Sequence, residues 1–261
     1  IGVTDKTPHV KYFFFLYKDT KKTDTLSRGY GRNTKGFILA NEESTAATIG
    51  DEPLQYYHKF KDITVVVDEK RNHGAKKLLE IQNDIDLIIL DDAYQHRWIH
   101  RDLSILLTDY HNLYHQDFMA PSGALREFTS GAKRADIIIV TKTHITLSPF
   151  ERRGIKEDLK IKSHQHLLFS KITYDVFFDI YTHQKTELKI SASTIILFAG
   201  IANPYPLKDH LKQFCKDLVV IDFPDHHQYN DKDLQLILKT YNDQFTSNKL
   251  LITTEKDAQR L

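Results

Sequence analysis

The stretch Asp86-Leu87-Ile88-Ile89-Leu90-Asp91-Asp92 carries the clearest signal of fold class in this chain. Its apolar residues run continuously and do not alternate with polar ones, which is typical of a strand buried on both faces of a parallel sheet. The pair Asp91-Asp92 follows directly, at the carboxyl end of the strand, where α/β sheets bind their ligands. These carboxylates can coordinate Mg²⁺ beside a bound phosphate, although a strand that ends in a polar turn is the alternative.

Similar short apolar runs recur along the chain, and amphipathic stretches such as 72–82 and 231–245 lie between them. This alternation of strands and helices indicates an α/β fold. The predicted strands are 63–67, 86–90, 103–108, 137–140, 194–198, 218–221 and 250–253.

The first eight residues form a second segment with phosphate-binding character, and a helical pattern follows them. Lys6-Thr7 matches the last two positions of the P-loop pattern G-x-x-x-x-G-K-[ST], in which the lysine reaches the β/γ-phosphates and the hydroxyl binds Mg²⁺. Asp5 stands where the second glycine belongs, and a plain turn before a helix with Pro8 in its first turn is the alternative. The expected ATP contacts are Gly2, Thr4, Lys6 and Thr7, and the expected Mg²⁺ ligands are Thr7, Asp91 and Asp92.

The segment 166–190 differs from the rest, because its strand-like runs follow one another without a helical pattern and predict an antiparallel ribbon. We therefore expect three parts. Residues 1–165 form a nucleotide-binding and catalytic domain, with a P-loop NTPase-like, mostly parallel sheet and helices on both faces. Residues 166–192 form a β-ribbon linker, and residues 193–261 form a smaller α/β domain that is incomplete at its end.

Composition narrows the choice of partner. The chain of 261 residues has 36 basic and 35 acidic side chains, a net charge of +1, so it has no global field for binding nucleic acid. Its single cysteine excludes an internal disulfide framework.

No run reaches the roughly 20 apolar residues that a membrane span needs. Because the chain opens on a motif without an initiator Met, we expect its natural ends, and any anchoring segment, to be missing.

Seven further motifs occur in a fixed order. They are S-R-G-Y-G-R at 27–32, G-D-E-P at 50–53, D-D-A-Y-Q-H-R at 91–97, P-S-G-A-L-R-E at 121–127, G-I-A-N-P at 200–204, F-P-D-H-H at 223–227 and T-E-K-D at 254–257. In this order they resemble the tetraacyldisaccharide 4'-kinases of Gram-negative lipid A synthesis, over almost the whole chain. The resemblance implies a Mg²⁺-dependent enzyme that transfers the γ-phosphoryl group of ATP to the 4'-hydroxyl of a tetraacyldisaccharide 1-phosphate. It also implies a peripheral or monotopic location on the cytoplasmic face of the bacterial inner membrane.

The resemblance assigns the catalytic base to Asp51 of the G-D-E-P motif. A sugar hydroxyl needs a proton acceptor as it attacks phosphorus. Without the resemblance, Asp51 is more readily interpreted as the N-cap of a helix, and the roles of N-cap and catalytic base can coexist. The resemblance also implies that a histidine of the D-H-H motif pairs with this carboxylate, and we favour His226, although the motif alone fits a metal site or a solvated loop. The predicted catalytic residues are thus Asp51, His226 and Lys6.

The remaining site predictions each have a plainer alternative. Glu127 is a further Mg²⁺ candidate or the ion-pair partner of Arg126 or Arg134. Asn203 contacts the nucleotide or lies in an ordinary β–α turn. Arg28 and Arg32 suit a phosphate, such as that of the acceptor, or are solvent-exposed arginines on a turn. The predicted substrate-binding residues are Arg28, Arg32, Gln95, His96 and Arg97.

Two rival classes remain open from the sequence. A P-loop GTPase or metallochaperone-type NTPase is one, because V-T-K-T at 140–143 is a poor match to the guanine-reading N-K-x-D turn. A degenerate homologue that binds nucleotide or lipid without turnover is the other. It is suggested by Asp5 and by the polar run 18–24, where the fold calls for a buried strand.

Overall fold

The computed structural model describes residues 6–144, 146–174, 176–182, 184–186, 192–225 and 227–261. The chain forms two compact units, Ile1–Thr173 and Tyr174–Leu261. The strands of the first unit are β1 (Thr23–Ser27), β2 (Ile38–Leu39), β3 (Val65–Val67), β4 (Leu87–Leu90), β5 (Ile105–Asp109), β6 (Ile137–Thr141) and β7 (His166–Phe169). Its α-helices are α1 (Thr7–Tyr17), α2 (Ala46–Ile49), α3 (Asp51–Lys59), α4 (Arg71–Ile81) and α5 (Pro149–Asp158).

Two mostly parallel sheets organise the first unit. One has the order β2-β3-β1-β4, in which only β2 is antiparallel, and the other has the parallel order β5-β6-β7. Residues 166–169 therefore belong to a parallel sheet, and the predicted antiparallel ribbon is wrong for this part. The physical reason is packing, since Leu167 and Phe169 lie against the apolar core beneath β6.

Strand β1 was missed by the sequence analysis because its residues are mostly polar. All five of them are buried, between β3 and β4. Asp24 is tolerated there because its carboxylate accepts a hydrogen bond from the Thr64 backbone N–H at 3.0 Å, while burial raises its pKa. The polar run 18–24 is thus compatible with a central buried strand, which removes one of the two arguments for a degenerate homologue.

The aromatic run at 12–17 lies within α1. Phe14 is fully buried and packs against the rings of Tyr56 and Phe60, at centroid distances of 5.4 and 5.0 Å. Tyr12 and Phe15 are more than half exposed. Among the described residues, no helix is both long enough and apolar enough to cross a membrane.

The second unit contains a three-stranded parallel sheet of order β11-β10-β12 and an antiparallel pair, β8 with β9. The antiparallel pair lies within the range 166–192 predicted to be a ribbon, but it begins only at Phe177, and the role of this segment as a linker stays a prediction. The elements are β8 (Phe177–Phe178), β9 (Lys185–Thr186), β10 (Ala192–Ala199), β11 (Cys215–Asp222), β12 (Lys249–Ile252), α6 (Tyr205–Leu211), α7 (Asp231–Asn242) and α8 (Glu255–Ala258).

Candidate active site

The carboxyl edge of the first sheet gathers most of the described candidate residues. The register places Ser27 of β1 beside Val67 of β3, and Leu26 beside Leu90 of β4. The residues that leave these strands therefore emerge at one edge, about 4.8 Å apart from strand to strand. They include Arg28 and the Asp91-Asp92 pair, and of these the sequence predicted only the pair at the end of a strand.

Asp92 lies between two cations. Its Oδ1 is 2.6 Å from Lys6 Nζ, and its Oδ2 accepts a hydrogen bond from Arg126 Nη1 at 2.8 Å. Burial alone would raise the pKa of Asp92, but Lys6 and Arg126 outweigh this effect and hold the pKa below its usual range. The structure thus brings together the predicted phosphate-binding lysine and one of the predicted metal carboxylates.

Asp91 is in a different environment, although it is the adjacent residue. It is only 7% exposed, and its Oδ2 accepts a hydrogen bond from the Tyr56 hydroxyl at 3.0 Å. Burial is the main reason that the pKa of Asp91 is raised to about 6, with Glu52 adding to the effect and Tyr56 and Lys6 opposing it. Thr7, at the start of α1, also interacts with the Tyr56 hydroxyl.

Asp51 is the first residue of α3, and Gly50 occupies the cap position before it, at φ +94°. A Cβ on Gly50 would lie 2.9 Å from the carbonyl oxygen of Tyr30, and one on Gly29 would lie 2.7 Å from that of Ile49. Only glycines allow this close approach of the two backbones. The half-buried Asp51 is therefore held beside the loop that begins at Arg28, and it is not itself the N-cap residue.

Arg71 is a site residue that the sequence analysis did not single out. Its guanidinium is buried, donates from Nη1 to the backbone oxygen of Asp68 at 2.7 Å, and lies 3.5 Å from that of Asp91. Burial, followed by the charge of Arg28, lowers its pKa. Burial, Arg71 and Arg101 also lower the pKa of His96, so His96 belongs to the same cationic edge. A single arginine at the start of a helix carries no sequence signal that separates it from a surface residue.

Three predicted site residues, Arg32, Glu127 and Gln95, have partners within the first unit. The Arg32 side chain is 3% exposed and donates from Nη2 to Glu69 Oε1 at 2.6 Å and to the Gly36 carbonyl oxygen at 2.8 Å. Glu127 accepts two hydrogen bonds from Arg134 Nη2, at 2.9 and 2.8 Å, and one from Gln95 Nε2 at 3.1 Å. Glu127 therefore forms the ion pair with Arg134 that was the alternative to metal binding. The contacts of Arg32 are those of a structural residue. Arg97 and Arg28 are exposed.

In the second unit, the D-H-H motif follows β11. The Nε2–H of His227 donates a hydrogen bond to Asp233 Oδ2, 2.8 Å away, and the ring of His227 stacks on that of Phe223 at 4.7 Å. Lys256 of the T-E-K-D motif lies 3.2 Å from Asp225 Oδ1. His227 is thus engaged within its own unit. His226 lies outside the described residues, as do Gly2, Thr4 and Asp5.

Asn203 is exposed and lies in the turn before α6. Its Oδ1 accepts a hydrogen bond from the Tyr205 backbone N–H at 3.1 Å, as expected of a residue that shapes a β–α turn. This hydrogen bond engages the amide oxygen of Asn203, as expected if the residue lies in an ordinary β–α turn, which was the plainer alternative.

The donors at the edge of the first sheet fit Mg²⁺ in its usual mode. Within the described part of the chain, no group of three or more His, Cys, Asp or Glu side chains could hold a metal ion. Mg²⁺ commonly takes one or two protein carboxylates and completes its octahedron with phosphate oxygens and water. Asp91 and Asp92 with the Thr7 hydroxyl match that chemistry, because they are oxygen donors beside the lysine expected to bind phosphate. Glu127 forms an ion pair with Arg134.

A mostly parallel sheet with a lysine-threonine pair at the start of a helix and a carboxylate pair after a strand defines an α/β protein of the P-loop kinase class. The chain belongs to the LpxK family, tetraacyldisaccharide-1-P 4'-kinase, whose family model matches residues 1–261. The family resemblance noted from the motifs is therefore confirmed.

Individual relatives agree with this assignment. The tetraacyldisaccharide 4'-kinases of Parabacteroides distasonis and Flavobacterium johnsoniae are each 43% identical to the chain, over 267 and 266 residues; the matches cover 100% of the chain and 72% and 75% of those proteins. The crystal structure of Aquifex aeolicus LpxK, described as an "apo" form in complex with ATP, matches with a TM-score of 0.73 and 27% identity. That match covers 100% of this chain and 77% of the other.

Proposed function

We propose that the chain is an ATP-dependent tetraacyldisaccharide 4'-kinase of lipid A biosynthesis. It transfers the γ-phosphoryl group of ATP to the 4'-hydroxyl of a tetraacyldisaccharide 1-phosphate. The observation that carries the proposal is the ion pair between Lys6 and Asp92, in a chain that matches the kinase family throughout. This pair places the expected phosphate-binding cation next to the expected metal-binding carboxylate.

Each residue near the phosphates has a distinct part. Lys6 exchanges Asp92 for the β/γ-phosphate oxygens when ATP binds, and Gly2 and Thr4 are further proposed ATP contacts. Thr7, Asp91 and Asp92 hold Mg²⁺, with Glu127 a candidate only if Arg134 releases it. When bound, Mg²⁺ neutralises charge that develops on the transferred group. Asn203 remains a proposed nucleotide contact.

The acceptor side is formed by Asp51 and the residues around it. Asp51 takes the proton of the attacking 4'-hydroxyl, and His226 is the second residue proposed for the acid–base step. Arg28, beside Asp51 through the Gly29–Gly50 contact, binds an anionic group of the acceptor. The other proposed acceptor contacts are Arg32, Gln95, His96 and Arg97.

The lipid acceptor also implies a membrane partner. A tetraacylated sugar resides in a bilayer, so we propose that the protein works as a peripheral or monotopic protein at the cytoplasmic face of the inner membrane. Tyr12, Phe15 and Leu16 of α1 are 62%, 51% and 52% exposed, and they are candidates for that contact.

The test of the function is phosphoryl transfer from labelled ATP to the tetraacyldisaccharide 1-phosphate in mixed micelles, with GTP as the competing nucleotide. We expect acceptor-dependent product at the 4'-position with ATP preferred. Preference for GTP, with nucleotide turnover that does not depend on the lipid, would favour the NTPase alternative. Binding of ATP or lipid without any product would favour a homologue that has lost catalysis.

A comparison of the two histidines tests the proposed role of His226. His226→Ala is expected to lower kcat by roughly 10²-fold, the lower range for a group that serves acid–base chemistry. His227→Ala is the matched control, because it removes the contact with Asp233 and should lower Tm more than kcat. Steady-state kinetics and thermal melts of both variants provide the measurement. The reverse pattern, with His227 controlling kcat, would transfer the role to His227.

A further inference from the structure

Tyr56 places a buried hydroxyl against the metal-binding edge, and the proposed mechanism does not use it. The residue is fully buried, and its hydroxyl donates to Asp91 Oδ2 at 3.0 Å. Among the described residues, no hydrogen bond to the second oxygen of Asp91, Oδ1, occurs. Tyr56 therefore engages one oxygen of this carboxylate and leaves the other for a further partner.

The tyrosine itself is rigidly held. Its ring meets that of Phe14 edge to face, at 5.4 Å and 84°, within an apolar cluster that also includes Phe60 and Val65. A side chain fixed by such packing holds its hydroxyl at one position. The donor to Asp91 is consequently preformed and is not a mobile surface group.

Tyr56 also lies on the same helix as the proposed base. Helix α3 carries Asp51 in its first turn and Tyr56 further along, and the Tyr56 hydroxyl reaches across to the end of β4. One rigid element thereby sets the positions of the proton acceptor and of a metal-binding carboxylate. A side chain that orients a metal ligand commonly affects metal affinity by about 10–100-fold.

We propose that Tyr56 is a positioning residue, which fixes the Asp91 carboxylate so that Oδ1 is presented to the Mg²⁺ ion of the bound nucleotide. This inference rests on the metal role of Asp91 in the proposed function. Without the hydroxyl, Oδ2 loses its donor in a buried site, and the carboxylate turns away to find another.

Tyr56→Phe removes only the hydroxyl and keeps the packing of the ring. We expect the affinity for Mg²⁺, measured by calorimetric titration with a non-hydrolysable ATP analogue present, to fall by about 10-fold. Tyr114→Phe is the matched control, because Tyr114 is also buried and donates to a backbone oxygen, that of Leu159, at 3.1 Å. It should lower Tm to a similar extent and leave Mg²⁺ affinity unchanged.

A double-mutant cycle with Asp91→Asn separates the possible outcomes. We expect Asp91→Asn to weaken Mg²⁺ binding, and Tyr56→Phe to add no more than about a twofold effect in that background, because the hydroxyl acts through the carboxylate. If Asp91→Asn weakens binding while Tyr56→Phe behaves like Tyr114→Phe, the inference alone is overturned. If Asp91→Asn binds Mg²⁺ like the parent, the metal assignment fails and the inference fails with it.

Discussion

Asp51→Asn is expected to lower kcat by roughly 10²- to 10⁴-fold, the usual contribution of a positioned acid or base. The amide cannot accept the proton of the 4'-hydroxyl, although it has nearly the same shape as the carboxylate. Because Asp51 lies on the acceptor side and Lys6 and Asp92 form the nucleotide side, the affinity for ATP should change little. Steady-state kinetics with both substrates varied, together with direct ATP titration, provide the measurement.

The control must account for the position of Asp51 at a helix start. A carboxylate in the first turn stabilises a helix by roughly 0.3–1 kcal/mol, which asparagine forfeits in part. Asp231→Asn is matched in this respect, because Asp231 is the first residue of α7. It should have the same small stability cost without a loss of kcat. Near-normal turnover in Asp51→Asn would remove Asp51 from the mechanism.

Replacing either carboxylate at the end of β4 is expected to raise the Mg²⁺ requirement strongly or to abolish turnover. A metal ion bound to transferring phosphoryl oxygens contributes several kcal/mol to the transition state, so the loss of a ligand should cost roughly 10²-fold or more in kcat. Asp91→Ala removes the buried carboxylate that accepts a hydrogen bond from Tyr56, whereas Asp92→Ala removes the ion-pair partner of Lys6 and Arg126. Turnover measured as a function of Mg²⁺ concentration distinguishes a weakened site from an absent one.

Asp109→Ala is the matched control for this pair. Asp109 ends the parallel strand β5 in the same unit, and its carboxylate lies 2.8 Å from Lys142. Its removal also breaks an ion pair at a strand end, but we expect the Mg²⁺ dependence of the parent. If Asp91→Ala and Asp92→Ala both titrate with Mg²⁺ like Asp109→Ala, these carboxylates are not metal ligands.

Much of the α/β architecture could be predicted because its signals are local. A continuous apolar run between polar residues identified β4, β6 and β10 within one or two residues, and the carboxylates after β4 lie where that strand ends. Their position follows from chain connectivity, since a residue after a parallel strand must emerge at its carboxyl edge. The family followed from the order of seven short motifs and is confirmed over the whole chain.

Other features depend on partners that are distant along the chain. β1 contains Asp24 in a fully buried strand, where the Thr64 N–H donates a hydrogen bond to its carboxylate. β7 pairs with β6 and not with the ribbon, because its side chains complete the core there. No local pattern distinguishes such strands from a polar loop or a hairpin.

The roles within the site divide in the same way. Residue types and spacing identified Lys6, Asp91 and Asp92 as chemically competent groups, the family resemblance singled out Asp51, and the roles of all four stay predictions for experiment. Tyr56 and Arg71 became visible only when folding brought them to the end of β4. Glu127 and Arg32 lie against partners that no motif indicates, Arg134 and Glu69. The reason is that motifs record which groups a chain carries, whereas burial and hydrogen bonding between remote segments set which oxygens and cations remain for a ligand.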